Sequence, residues 1–125
     1  EPADPPSYAK RILLEPGGAE HHVLMLQGVV DHYILPPMAN ATALSFGLDL
    51  AGEPLDAQSE ELAAFSPFLE VAYLSGRGQT GYPASGNFDA GGASPRTAVM
   101  VLHPEDGIED GHLVLFQTEG PRYQM

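Results

Sequence analysis

Two short runs of consecutive apolar residues organise this sequence. They are His22-Val23-Leu24-Met25-Leu26-Gln27-Gly28 and Thr97-Ala98-Val99-Met100-Val101-Leu102-His103. Each is bounded by turn-forming residues and neither alternates with polar positions, which is the pattern of a strand covered on both faces. Both are therefore predicted to be buried parallel strands. After the first, Val29 to Pro37 reads as a loop. Met38 to Leu48 reads as a helix with Ala39, Ala43, Leu44 and Leu48 available to one apolar face. Strand, loop and helix make half of a βαβ unit.

The remaining pattern is weaker. Glu1-Pro2-Ala3-Asp4-Pro5-Pro6 is a stiff, extended lead-in, because proline fixes its own φ and has no amide donor. Ser7 is positioned to cap a short helix from Tyr8 to Leu14, which Pro16-Gly17-Gly18 breaks. Asp49 to Pro95 is rich in Gly, Pro, Ser and acidic residues and reads as a surface excursion. Within it Leu69-Glu70-Val71-Ala72-Tyr73-Leu74 is expected to be a strand, in an irregular hairpin from about 68 to 83. Beyond the second apolar run, Pro104 to Gly111 is a polar loop, and His112 to Gln117 is a short helix with a strand as the other reading. No internal repeat is present. The sequence thus divides into lead-in and short helix (1–18), strand, acid-bearing loop and helix (19–48), insertion (49–96), and strand, His loop and terminal helix (97–125).

Two buried-type parallel strands need neighbours at their edges and helices on both faces. The predicted elements are too few for that, so 1–125 is expected to be a single partial domain. The length of 125 residues and mass of 13.3 kDa admit one thin core and exclude two.

Charge and cysteine content narrow the function. Seventeen Asp and Glu against five Lys and Arg give a formal net charge of -12, which repels nucleic acid and anionic membrane surfaces. No apolar stretch approaches the roughly 20 residues that span a bilayer. The absence of Cys removes disulfides, thiolate metal sites and cysteine catalysis. No basic region followed by an apolar run opens the sequence, so localisation stays open; a signal on further sequence would make the protein secreted or periplasmic.

Two ionisable residues fall just past the predicted C-terminal ends of the strands, where open α/β sheets place their ligands. Asp31, three residues beyond Gly28, can accept a hydrogen bond from an imidazole and fix its tautomer. His112 follows Gly111 nine residues after His103, and can act as a general base near neutral pH.

These stretches, Val23 to Asp31 and Thr97 to His112, resemble the C-terminal end of the α/β-hydrolase family of esterases, lipases and peptidases. There the acid follows a strand as Gly, two residues, Asp, and the histidine follows the last strand as Gly-His before the final helix. The resemblance implies an α/β fold, the C-terminal portion of a doubly wound, mostly parallel hydrolase sheet with an irregular insertion. It also implies Asp31 as the acid and His112 as the base of a Ser-His-Asp triad. The helix Met38 to Leu48 would be the one that follows the acid. The substrate would be a small-molecule ester or related acyl compound, with no cofactor and no metal. The family's Gly-x-Ser-x-Gly elbow is absent, since Gly92-Ala93-Ser94-Pro95-Arg96 lacks the final Gly and follows no strand. The nucleophile and oxyanion hole would then belong to the remainder of the hydrolase domain, on missing N-terminal sequence or a companion chain.

Other residues carry weaker functional readings. His32 adjoins the acid, and Ile34 and Leu35 begin an apolar patch where a substrate could pack; a polar loop and an ordinary helix start are the plain alternatives. His103 to His112 contains two His and four carboxylates, so a metal-binding domain is a third option. Gly76-Arg77-Gly78-Gln79-Thr80-Gly81 has the glycines of a phosphate loop without its Gly-Lys-Ser/Thr ending. Asn40-Ala41-Thr42 fits a glycosylation sequon but falls inside a predicted helix. A non-enzymatic acidic α/β binding module, with Asp31 and His112 as loop residues, is the alternative to the hydrolase.

Overall fold

The computed structural model describes residues 4–19, 21–89, 91, 94–104 and 107–117. Four strands form one parallel sheet: β1 (Val23–Gly28), β2 (Asp49–Ala51), β3 (Gln79–Thr80) and β4 (Ala98–His103), in the order β1-β4-β2-β3. The helices are α1 (Pro5–Ala9), α2 (Pro36–Phe46), α3 (Phe68–Leu74) and α4 (Val114–Gln117). This is an α/β architecture. No helix among the described residues is long and apolar enough to cross a membrane.

The two apolar runs are strands β1 and β4, and they pair directly. Val23 stands opposite Ala98 and Gly28 opposite His103, so β1 and β4 run side by side and end together. Along β4 the side chains divide by the two-residue period of a strand. Ala98, Met100 and Leu102 enter the main core with Leu13, Ala43, Leu48, Leu50, Phe68 and Ala72. Val99 and Val101 enter a smaller cluster with Ala51, Leu26 and Ala84 on the opposite face. Phe68 is fully buried, and a side chain of that kind contributes about 1.5–3 kcal/mol of burial.

Local chemistry sets the ends of α2. Pro36 and Pro37 occupy its first positions, where a missing N–H costs nothing. At the other end Gly47 turns left-handed at φ 77°. Its N–H donates to the Leu44 carbonyl (3.0 Å) and the Leu48 N–H donates to the Ala43 carbonyl (3.1 Å), a Schellman closure. That closure aims the chain straight into β2.

Several expectations need correction. The first helix begins at Pro5 rather than Tyr8, with Asp4 and not Ser7 at its N-cap, because the proline pair favours the first helical turn. The segment Leu69–Leu74 is helical, as part of α3, and no hairpin spans 68–83. Pro67 precedes the helix, and Phe68 and Ala72, four residues apart on one face, are both buried. The segment 49–96 is not a surface excursion throughout, since Asp49–Ala51 and Gln79–Thr80 join the sheet as β2 and β3. Strand β1 is not covered evenly: Leu24 is exposed while Gln27 and Gly28 are buried. Helices α2 and α3 contribute to the core on one face of the sheet, and the smaller cluster on the other face joins Ala51, Val99 and Val101 with Leu26 and Ala84. Residues 92–93 of the Gly92–Arg96 stretch and residues 118–125 lie outside the described residues.

Candidate active site

Because β1 and β4 end together, the loops that follow them leave the sheet side by side. The Val29 N–H donates to the His103 carbonyl (2.9 Å), and the Gly111 N–H donates to the Val30 carbonyl (2.8 Å). Glycine is required on both sides of this crossing. A Cβ on Gly28 would overlap the Gly111 backbone, and one on Gly111 would overlap the Val30 carbonyl.

That crossing brings Asp31 and His112 together. The His112 Nδ1–H donates to Asp31 Oδ2 at 3.1 Å. The other carboxylate oxygen, Oδ1, accepts the Tyr33 and Ile34 N–H groups, both at 2.8 Å. This aspartate turn holds the carboxylate by its own backbone. Asp31 is buried, at 8% exposure, whereas the His112 side chain is 42% exposed. With the Nδ1 proton kept on the ring and directed at the carboxylate, the neutral imidazole carries its lone pair on Nε2. The Tyr33 ring lies 5.0 Å from the His112 ring, centroid to centroid, tilted by 38°.

A second His–carboxylate pair crosses the same gap in the opposite sense. The His32 Nδ1–H donates to Asp110 Oδ2 at 2.7 Å. Asp110 Oδ1 accepts the His112 N–H at 2.8 Å and the His32 N–H at 3.4 Å, and Asp110 caps the single 3-10 turn Gly111–Leu113 that carries His112. The Asp110 carboxyl is held below the usual carboxylate range, first by the His112 N–H and, against the opposing effect of desolvation, by His32.

Beside the Asp31–His112 pair a cleft of about 230 Å³ runs along the outer edge of β1, lined by Met25 to Gly28, Ile34, Ala39, Phe116 and the pair itself. Its lining is mainly apolar, as small-molecule sites are. Gln27 is buried there at 5% exposure, and its Oε1 has no hydrogen-bond partner among the described residues.

The sequence-predicted residues therefore divide. Asp31 and His112 meet, and Ile34 lines the cleft beside them. His32 pairs with Asp110 and is not among the residues lining the cleft. Leu35 is half-exposed and serves at the start of α2, where its carbonyl accepts the Met38 and Ala39 N–H groups. Among the described residues no serine or threonine lines the cleft. Among the described residues no group of three or more His, Asp or Glu side chains gathers as metal ligands would; Glu105 and Asp106 lie outside those residues. The phosphate-loop look-alike is a sheet edge, with Gln79 and Thr80 in β3 and the Arg77 guanidinium 5.3 Å from the Phe88 ring centroid. Asn40 of the sequon is buried within α2.

Sequence reasoning missed Asp110 and Tyr33. The signal for Asp110 was its position two residues before a histidine, where an aspartate side chain reaches forward to a backbone N–H. Tyr33 carried no signal beyond its closeness to Asp31. No protein-family model matches this chain, and neither a curated protein nor a solved structure matches it.

Proposed function

We propose that this chain supplies the acid and the base of a Ser-His-Asp triad in a serine hydrolase acting on an ester or related acyl substrate. The observation that carries this reading is the Asp31 carboxylate. One oxygen is fixed by two backbone N–H groups and the other accepts from the Nδ1–H of a half-exposed imidazole. That is the arrangement a general base needs for a defined tautomer and for stabilisation of the imidazolium it forms. His112 takes the proton of a serine hydroxyl as it attacks the acyl carbonyl and returns it to the leaving group, while Asp31 stays ionised. The location after two parallel strands that end together is where α/β sheets place such groups.

The serine belongs to the remainder of the hydrolase domain. Two features support this part of the reading. Strand β1 ends the sheet among the described residues, yet carries none of the charges or prolines that protect an exposed edge. The sheet face around Leu24, Val99 and Val101 borders an apolar hollow of about 270 Å³, the kind of surface that a helix from further sequence would cover.

The test is to treat the protein as isolated from its source with a fluorophosphonate, which modifies activated serines, and to weigh every polypeptide. An adduct on a longer or companion polypeptide that is lost in His112→Ala supports the hydrolase. A single folded, unmodified chain of 13.3 kDa overturns it and leaves the acidic binding module, in which the two His–carboxylate pairs only staple loops.

A further inference from the structure

We infer that Asp110 is a positioning residue for His112, and that Asp110 and His32 form a clasp which aligns the imidazole with Asp31. This rests on the reading of His112 as the base and adds to it a residue that the triad does not contain.

The geometry is reciprocal. Asp31 and His32, adjacent in the loop after β1, face His112 and Asp110, which flank Gly111 in the loop after β4, with each loop giving one carboxylate and one imidazole. The Gly111 N–H bond to the Val30 carbonyl sets the separation of the loops; the two side-chain contacts, one on each side of Gly111, add control of the rotation of the His112 turn about that bond.

The parts of the clasp differ in kind. Asp110 does not touch the His112 ring in any hydrogen bond; it accepts from the His112 backbone N–H (2.8 Å), and so sets where the Cα of His112 stands. Its other oxygen reaches back to His32 on the opposite loop (2.7 Å). The Asp110 side chain is 13% exposed while the His32 side chain is 66% exposed, so the carboxylate is the fixed half and the imidazole closes over it from the solvent side. The turn that Asp110 caps has only three residues, Gly111–Leu113. Such a turn has few hydrogen bonds of its own to hold His112 in place.

The experiment uses the intact protein with ¹⁵N-labelled histidine and measures fluorophosphonate labelling rate, final labelling stoichiometry and the His112 ring nitrogen signals. Asp110→Ala, which removes the acceptor of the His112 N–H and the partner of His32 together, is expected to slow labelling on the order of 10²-fold, the effect of a small misalignment of a catalytic group. Final stoichiometry should be unchanged, and the His112 signals should move from a single Nδ1–H tautomer toward a mixture. His32→Ala is expected to slow labelling less, and the double variant to be no slower than Asp110→Ala, since both remove the contact between the two side chains.

Asp110→Ala labelling at the parental rate with unchanged His112 signals, while His112→Ala is not labelled, overturns the clasp and leaves the hydrolase standing. Labelling of His112→Ala at the parental rate overturns the hydrolase itself. If Asp110→Ala does not fold, His32→Ala decides, because its side chain is exposed and its loss spares the core; a parental rate there overturns the proposal.

Discussion

Gly28 and Gly111 meet backbone to backbone where the loops after β1 and β4 cross, with no room for a methyl group on either one. The close approach lets the Gly111 N–H reach the Val30 carbonyl, and it delivers His112, one residue later, to Asp31. Position and chemistry are thus coupled through two residues that have no side chain.

Gly28→Ala is expected to force the loops apart. Overpacking of a tight site typically costs about 1–3 kcal/mol, and here the obstacle is backbone, which cannot rotate away. An unfolding free energy from urea denaturation lowered by that amount, with a correspondingly lower midpoint, together with slower fluorophosphonate labelling of the intact protein, is the expected result. An unchanged midpoint would show that the crossing is looser than described.

Asp31→Asn separates orientation from charge. The amide oxygen can still accept the Tyr33 and Ile34 N–H groups that Asp31 Oδ1 accepts, so the turn survives. The amide nitrogen, however, would face His112 Nδ1 and favour the opposite tautomer. Labelling should fall on the order of 10⁴-fold, the cost of the equivalent change in a Ser-His-Asp triad, with a denaturation midpoint close to the parent. A rate within tenfold of the parent would remove Asp31 from the mechanism.

Asp110 sets a pH dependence whose sign is fixed by its depressed pKa. The His112 N–H and His32 hold the folded-state value below the ordinary 3.8. The unfolded chain therefore binds a proton before the folded one does, and stability falls as pH falls. The contribution of Asp110 is fully present above the ordinary carboxylate value and is lost as pH drops through the lower, folded value. Urea midpoints measured from neutral pH downward should decline more steeply in this acid range for the parent than for Asp110→Asn. Equal slopes would mean that these contacts do not bias the protonation of Asp110.

The central pairing and the site were legible in the sequence because each rests on short-range pattern. Continuous apolar runs at 22–28 and 97–103 can only be buried strands or helices, and their length and flanking turns favour strands. Asp31 and His112 follow from those strand ends. The middle of the chain was not legible, for a physical reason. β2 has three residues and β3 two, too few to show a period, and they are held by side-chain ties that no local pattern encodes. Asp49 Oδ1 accepts the Gly78 N–H and its Oδ2 accepts from Asn87, at separations of 29 and 38 residues. The misreading of α3 has a related cause. Leu69 to Leu74 contains enough β-branched and aromatic character to imitate a strand, and only the burial of Phe68 and Ala72 on one side makes it helical.

Asn87 gives the sharpest test of those long-range ties. Its Oδ1 accepts the Ala98 N–H (2.8 Å), and its Nδ2 donates to the Ala98 carbonyl (2.9 Å) and to Asp49 Oδ2 (2.7 Å). It therefore stands in for a strand neighbour at the start of β4. Asn87→Ala should destabilise by about 2–4 kcal/mol, the sum of two or three net hydrogen bonds and of the partly buried partners left behind. Asn87→Asp keeps the acceptor, loses the donor and places a carboxylate against Asp49, so at neutral pH it should be at least as destabilised as Asn87→Ala. It should then recover relative to Asn87→Ala at acid pH, because a proton shared between the two carboxyls removes their repulsion. Since β4 separates Asn87 from the His112 loop by roughly 17 Å of strand, neither change should alter the labelling rate of the folded fraction. Urea midpoints at both pH values and labelling under native conditions check the three expectations together. A neutral-pH Asn87→Asp as stable as the parent would show that Asp49 and Asn87 do not hold the sheet.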